Sequence, residues 1–239
     1  MSTINVDNIL SESFIQNPVN LNGTEITYNP NGSIIGIGQG ALQSCSTINN
    51  VAIGKSALQS VTTGDDNTAV GGGALSATTG TNNTAIGYNA GNLHTTGTNN
   101  IFIGFNANGV SPTSNNSITL GDSNIAVLRC AVTSITSLSD ARDKKEIKDL
   151  STGLDFVKTL RPVEFTWKDR DENGKQGIAD FGFIAQDLKK SQEDAEKAEV
   201  LKLVYDENPD KLEASYGKLI PILVKAIQEL TAKVEQLEK

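Results

Sequence analysis

Ser139 and Lys144 are the residues of this sequence best placed to do chemistry. They are a hydroxyl and an amine five positions apart, in the run Ser-Asp-Ala-Arg-Asp-Lys at 139–144. A serine attacks a carbonyl only when a base removes its proton, and a neutral lysine amine can act as that base. An ordinary lysine, with a pKa of about 10.4, is about 99.9% protonated at pH 7. Lowering that value by about 3 units, about 4 kcal/mol, leaves a useful neutral fraction. Burial beside other cations, here Arg142 or Lys145, shifts a lysine in that direction. A Ser-His-Asp triad fits less well, because the single histidine, His94, lies far upstream. Asp140 and Arg142 suit an ion pair that holds the loop. Ser-Asp before a helix is also an N-cap signature, the competing structural reading.

The pair sits where the chain changes character. Six acids and two bases precede Ser139, whereas 22 acids and 18 bases follow it in a shorter stretch. A serine at such a border suggests a self-cleavage point between two unlike parts. Each part carries a formal charge of −4, and the total of −8 argues against a nucleic-acid footprint. The start has no Lys/Arg-led apolar stretch, so no secretory signal is expected. The apolar run from Leu219 to Val224 is too short to span a bilayer and contains Pro221, so no membrane insertion is expected.

Other candidate groups are weaker. Cys45 and Cys130 are far apart and suit two small buried thiols better than a disulfide or a metal site. Asp65-Asp66-Asn67 could suggest calcium but fits a solvated turn, and no metal or other cofactor is expected. Gly36-Ile37-Gly38-Gln39-Gly40-Ala41 is loosely like a nucleotide loop, but no βαβ unit follows.

That glycine run is the first unit of a repeat array. A glycine follows an apolar residue at 38, 54, 71, 87, 104 and 121, at spacings of 16 or 17. Asn-Asn-Val-Ala-Ile-Gly ends at Gly54, and close variants end at the later glycines. Thr-Thr-Gly recurs at Gly64, Gly80 and Gly97, and Ala41, Ala57, Ala74, Ala90 and Ala107 keep the same phase. A fixed short period signals a solenoid, with two short strand candidates per unit. Ile53, Val70, Ile86, Ile103 and Leu120 are expected to stack as one interior column. Paired asparagines suit left-handed turns and hydrogen-bonded ladders. The Ala-Ile-Gly/Asn-Asn pattern over 34–123 resembles the head repeats of trimeric autotransporter adhesins, and similar repeats in phage fibres. This implies a trimeric, left-handed parallel β-roll. Before it, Val19, Leu21 and Ile26 predict short strands with a turn at Asn22-Gly23; Ile4, Val6 and Ile9 alternate weakly.

After the border the pattern is that of a small mixed domain. Leu154, Val157 and Leu160 form a helical stripe that Pro162 ends. Val163-Phe165-Trp167 alternates as a strand, with Phe181-Phe183 returning beside it after a turn at Asn173-Gly174. Trp167 is expected in core packing or a contact between copies. Ile220, Leu223, Ile227, Leu230, Val234 and Leu237 are spaced 3, 4, 3, 4, 3, a heptad seam on the last helix. The rule for Ile and Leu at the two core positions favours dimers. Packing of that helix on its own domain is the simpler alternative.

The order Ser-Asp-Ala-Arg-Asp-Lys-Lys-Glu-Ile, Leu160-Arg161-Pro162-Val163-Glu164-Phe165-Thr166-Trp167, Phe181-Gly182-Phe183-Ile184-Ala185-Gln186 and Tyr216-Gly217-Lys218-Leu219 closely resembles the intramolecular chaperone domain of endosialidases and other phage tail spikes. The resemblance spans 137–239. It implies trimers, with Leu138–Ser139 as the scissile bond, Ser139 as nucleophile and Lys144 as general base. The expected fold class is mainly β plus α+β: a trimeric parallel β-solenoid, then a small α+β chaperone domain ending in a coiled-coil helix. The expected parts are an attachment or cap segment at 1–33, the repeat array at 34–123, a linker at 124–138 and the folding aid at 139–239.

The function this predicts is a homotrimeric phage or viral fibre protein, made in the host cytoplasm and carried on the virion. Its N-terminus would bind a baseplate, tail or capsid protein, and a host surface receptor is a further partner. Any catalysis would be a single self-cleavage, without turnover of an external substrate. A bacterial surface adhesin would need a signal and a membrane anchor. A glycan-degrading tail spike would need a carboxylate cleft, and the six acids of the first part are dispersed among turns.

Overall fold

The structure, a computed structural model, describes residues 19–21, 24–29, 33–125, 127–131, 135–168, 170 and 175–238. The expected alternation at Ile4, Val6 and Ile9, and the turns at Asn22-Gly23 and Asn173-Gly174, lie outside them. The chain divides into two compact units, Met1–Ile125 and Ala126–Lys239.

The first unit is a β-solenoid. Strands β1 (Val19–Leu21) and β2 (Thr24–Asn29) pair antiparallel, and β2 pairs antiparallel with β3 (Ile34–Ile37). From β3 the stack is parallel: β4 (Val51–Ile53), β5 (Thr68–Val70), β6 (Thr84–Ile86), β7 (Ile101–Ile103) and β8 (Ile118–Leu120) follow in sequence order. The register repeats the sequence period, with Ala52 opposite Ala69, Ala69 opposite Ala85 and Ala85 opposite Phe102. Consecutive strands can be parallel neighbours because each 16- or 17-residue unit makes one complete coil.

The strands alternate as expected, but their sides are exchanged. The interior column is Ala52, Ala69, Ala85 and Phe102, all fully buried, while Ile53, Ile86, Ile103 and Leu120 are 40–50% exposed and Val70 is half-buried. The reason is width. The tube is filled from its other side by Leu42, Leu58 and Leu75 and by Ala57, Ala74, Ala90 and Ala107. Against those residues only a methyl fits at the strand centre, so the branched residues on either side turn outward. One exchange preserves the volume. Where Leu58 and Leu75 stand in earlier coils, the next coil has Gly91, and Phe102 fills the space; a Cβ on Gly91 would lie 2.7 Å from the Phe102 ring.

Each coil has one strand, not the two expected. The second run has left-handed residues, Ser56 at φ 58° and Leu58 at φ 49°, so it turns instead of extending. It still bonds coil to coil, with Leu58 N–H donating to the Ala74 carbonyl at 3.0 Å.

The asparagine pairs divide the work. The first member takes the left-handed corner, as Asn49, Asn82 and Asn99 do at φ 57–60°; in the last coil Asn116, followed by Ser117, takes that place at φ 57°. The second is buried and forms a ladder. Asn50, Asn67 and Asn83 each accept the backbone N–H of the next asparagine, at 3.0–3.1 Å. Their amides donate to the carbonyls of Gly64, Gly80 and Gly97 at 2.9–3.0 Å. The recurrent glycine after each strand is required twice over. Gly71 sits at φ 137°, and a Cβ there would lie 2.2 Å from the Gly87 carbonyl oxygen.

The second unit is a small α+β domain. Helix α1 (Leu154–Val157) precedes the antiparallel pair β9 (Val163–Thr166) and β10 (Ala179–Gly182). Then come α2 (Ala185–Asp194), α3 (Ala198–Leu201), the short pair β11 (Val204–Tyr205) and β12 (Glu213–Ala214), and α4 (Leu219–Leu237). Its core joins Phe156, Leu188, Leu201, Leu203, Leu219 and Ile222. Trp167 is half-buried; its Nε1 donates to Asp180 at 3.2 Å and the Lys175 ammonium lies 4.6 Å above the ring. No helix among the described residues is long and apolar enough to cross a membrane. Cys45 is half-buried and Cys130 is exposed, so the expectation of two buried thiols is corrected for Cys130.

Candidate self-processing site

The 139–144 segment is built on one short 3-10 turn, Ala141–Asp143. Asp140 caps it, accepting the Arg142 N–H at 2.8 Å. The Arg142 guanidinium folds back on the same carboxylate, with Nη2 at 2.6 Å and Nε at 3.0 Å. That guanidinium and the backbone bond hold the Asp140 carboxyl below the usual carboxylate range, and the carboxylate in turn raises Arg142. Both groups are in water, where such a pair contributes little stability. Its consequence is local shape.

That shape brings Ser139 and Lys144 together. The turn reverses the chain so that Lys144 Nζ donates to Ser139 Oγ at 2.6 Å and to the Ser139 carbonyl at 3.1 Å. A hydroxyl and an amine at this distance are within reach for proton transfer. Both side chains are exposed in the single chain, and Leu138 is 96% exposed.

The last helix carries two stripes, one of them missed in the heptad reading. Leu219, Ile222 and Ala226 are buried against the domain core. One position further round, Ile220, Leu223, Ile227, Leu230, Val234 and Leu237 are all at least 43% exposed. Glu229, on the packed side, accepts the Leu154 N–H at 2.8 Å and so caps α1. Among apolar positions 3 and 4 apart, the stripe starting at Leu219 was legible but shorter than its neighbour.

The carboxylates of the solenoid are engaged with its turns. Asp65 accepts the Ile48 N–H at 3.0 Å, Asp66 accepts the Asn49 amide at 2.9 Å, and Asp122 binds Asn124. No group of three or more His, Cys, Asp or Glu able to hold a metal occurs among the described residues.

No curated protein and no solved structure matches the chain. Residues 139–197 match the family model described as chaperone of endosialidase, a segment that opens on Ser139 and extends to the start of α3.

Proposed function

We propose that the chain is a subunit of a homotrimeric phage or viral fibre, whose part after Ser139 gathers three copies and sets their register. The observation that carries this reading is the outward stripe of α4. Six apolar residues at heptad spacing face solvent while a separate stripe anchors the same helix to its domain. A helix that needed only its own domain would have a polar outer face. The match of 139–197 to chaperones of endosialidase supports the same role. We take three copies rather than the two favoured by the Ile/Leu pattern, because a short seam inside a larger assembly does not set stoichiometry by itself.

The solenoid needs such help. Its parallel pairing runs within each chain, between segments 16 or 17 residues apart, but separate copies have no covalent link to align them, so their mutual register is slow to find and prone to error. A terminal trimer raises the local concentration of the upstream parts.

Ser139 and Lys144 would then release the domain. Ser139 lies just after the Leu138 carbonyl, so attack by its Oγ is an N-to-O acyl shift. The C–O bond forms, the C–N bond breaks, and the Ser139 nitrogen leaves as an amine with the proton relayed by Lys144. Water hydrolyses the resulting ester. Packing of three copies would bury Lys144 beside Arg142 and Lys145, so that cleavage follows assembly. Residues 1–33 would cap the stack or attach it to a tail or capsid protein.

Sedimentation of the full chain tests the core of this reading. A mass of three subunits is expected, and a monomer at micromolar concentration would refute it. Intact-mass measurement of the protein in purified virions tests location and cleavage together.

A further inference from the structure

One outward column of the array follows the glycine corners. Successive coils place Gln39, Lys55, Gly72, Tyr88 and Phe105 in it. Lys55 is the only Lys or Arg of residues 1–125. Tyr88 and Phe105 are the only aromatic residues of 30–125 besides Phe102, which fills the core. Each is 59% exposed, and their rings stack 5.8 Å apart at 14°. The array's one Lys or Arg and its two exposed rings therefore share a single line.

Gly72 separates them. Its φ lies outside the left-handed region, so the backbone does not require a glycine. A Cβ there would lie 3.4 Å from Tyr88 Cδ2, an ordinary contact, and every other coil has a side chain at this place. Phe105 covers one face of the Tyr88 ring, and the missing side chain leaves the other face bare. The result is a notch one coil high, with Tyr88 as its floor and Lys55 on the coil opposite. The Asn89 Oδ1 reaches its edge, where a Cβ on Gly73 would clash with it. The side-chain amides of Asn89 and Asn106 have no hydrogen-bond partner among the described residues, whereas Asn92 and Asn108 bond each other at 3.0 Å.

We infer that this notch binds a saccharide containing a hexuronate unit, with the sugar ring on Tyr88 and its carboxylate toward Lys55. The assignment goes beyond the fibre reading and does not depend on it, since every residue of the notch belongs to one chain.

Three properties select this ligand. A pyranose ring presents a face of weakly positive C–H groups, which the negative face of an aromatic ring attracts. Its hydroxyls both donate and accept, as the free amides of Asn89 and Asn106 do. A ring resting about 4 Å from Tyr88 lies at the level of Gly72, because coils are about 4.8 Å apart, and a carboxylate on it is within reach of the flexible Lys55 side chain. A nucleic acid fits poorly, because the six acids and two bases before Ser139 repel a polyanion. Asp122, further along on the other side of Phe105, is bound to Asn124.

The experiment screens the full-length chain against an array of hexuronate oligosaccharides and their neutral hexose counterparts, with tetraglutamate as an acidic probe that lacks sugar rings. The tightest array member is then titrated by calorimetry against variants. At least one hexuronate should bind about tenfold tighter than both its neutral counterpart and the peptide. Tyr88→Ala should weaken that binding by about tenfold or more. Gly72→Gln, which places the residue type of Gln39 in the notch without backbone strain, should do the same. Lys55→Gln should reduce the hexuronate to the affinity of its neutral counterpart and remove the salt dependence. Circular dichroism and native mass should be unchanged in all three variants. Three results would each overturn the inference: no hexuronate bound above its neutral counterpart, equal binding of the peptide, or unchanged affinity in Tyr88→Ala and Gly72→Gln. None of them alters the subunit count read by sedimentation, so the homotrimer stands or falls separately.

Discussion

Ser139 and Lys144 meet because a two-residue ion pair bends the chain between them. Asp140 binds both the N–H and the guanidinium of Arg142, and the reversal places Lys144 Nζ at 2.6 Å from the serine oxygen. Ser139→Ala and Lys144→Ala should each leave a full-length chain that still assembles, read by intact mass and sedimentation; efficient cleavage in either variant rules out the dyad. A second residue with a testable charge is His94, buried beside Phe102 at 5.1 Å in the solenoid interior. Its Nδ1 has no hydrogen-bond partner among the described residues. Burial lowers its pKa below 6.5, opposed by a smaller effect of the Gly97 backbone. The unfolded chain therefore binds the proton more readily than the folded one. Stability from this site is complete above about pH 6.5 and is lost as pH falls through the lowered folded value. Melting temperatures of wild type and His94→Gln, compared from pH 7.5 to 4.5, should differ by a constant amount above about 6.5, with the wild type losing stability relative to the variant as pH falls below it.

Among the elements, the coil and the helix each make a definite forecast. In the coil, Gly91 and Phe102 form a volume-exchanged pair: a Cβ at 91 would lie 2.7 Å from the Phe102 ring and 2.8 Å from Leu75. Phe102→Ala alone should cost about 3–5 kcal/mol through the cavity it leaves. Gly91→Leu alone should overpack the tube, by about 1–3 kcal/mol. The double variant restores the arrangement of Leu75 with Ala85 and should cost less than the sum, by more than about 1 kcal/mol in a denaturation cycle. The left-handed φ of 64° at Gly91 is no obstacle, since Leu58 and Leu75 adopt φ 49° and 48° at the equivalent place. In α4 the exposed stripe separates assembly from folding. Ile227 is 64% exposed, so Ile227→Glu should leave the domain folded by circular dichroism while sedimentation shows dissociation.

For the whole molecule, an assembly that has lost its nucleating part should persist without being able to re-form. Once the C–N bond at Ser139 is cut and the tail removed, the shaft would be held by its unfolding barrier. After full denaturation and dilution, a Ser139→Ala chain should regain most of its trimer, whereas a separated 1–138 fragment should regain under about a tenth. Refolding yield by native gel measures both. Equal recovery would show that the tail is dispensable for register.

The 16- and 17-residue spacing specified the solenoid and the glycine corners, because those depend on local backbone geometry repeated coil after coil; the parallel stacking was implied by the resemblance of the repeats. The asparagine ladder was legible for the same reason: a left-handed corner followed by a buried amide is written in two adjacent letters. The meeting of Ser139 with Lys144 was suggested by residue type and proximity along the chain, and the ion pair that bends the loop lies between them. Which side of each strand faces inward was not legible. Alternation of Val-Ala-Ile tells only that Ala52 opposes Val51 and Ile53, and ordinary hydrophobic weighting puts the larger residues inside. That choice belongs to the cross-section of the tube, where Leu58 and Leu75 arrive from the opposite wall and leave room for a methyl. The two stripes of α4 were likewise separable only once Phe156, Leu188 and Leu203 were seen to occupy one of them. Local geometry is encoded by neighbours in sequence; the inside and the outside of a packed body are decided by residues that meet only after the chain has folded.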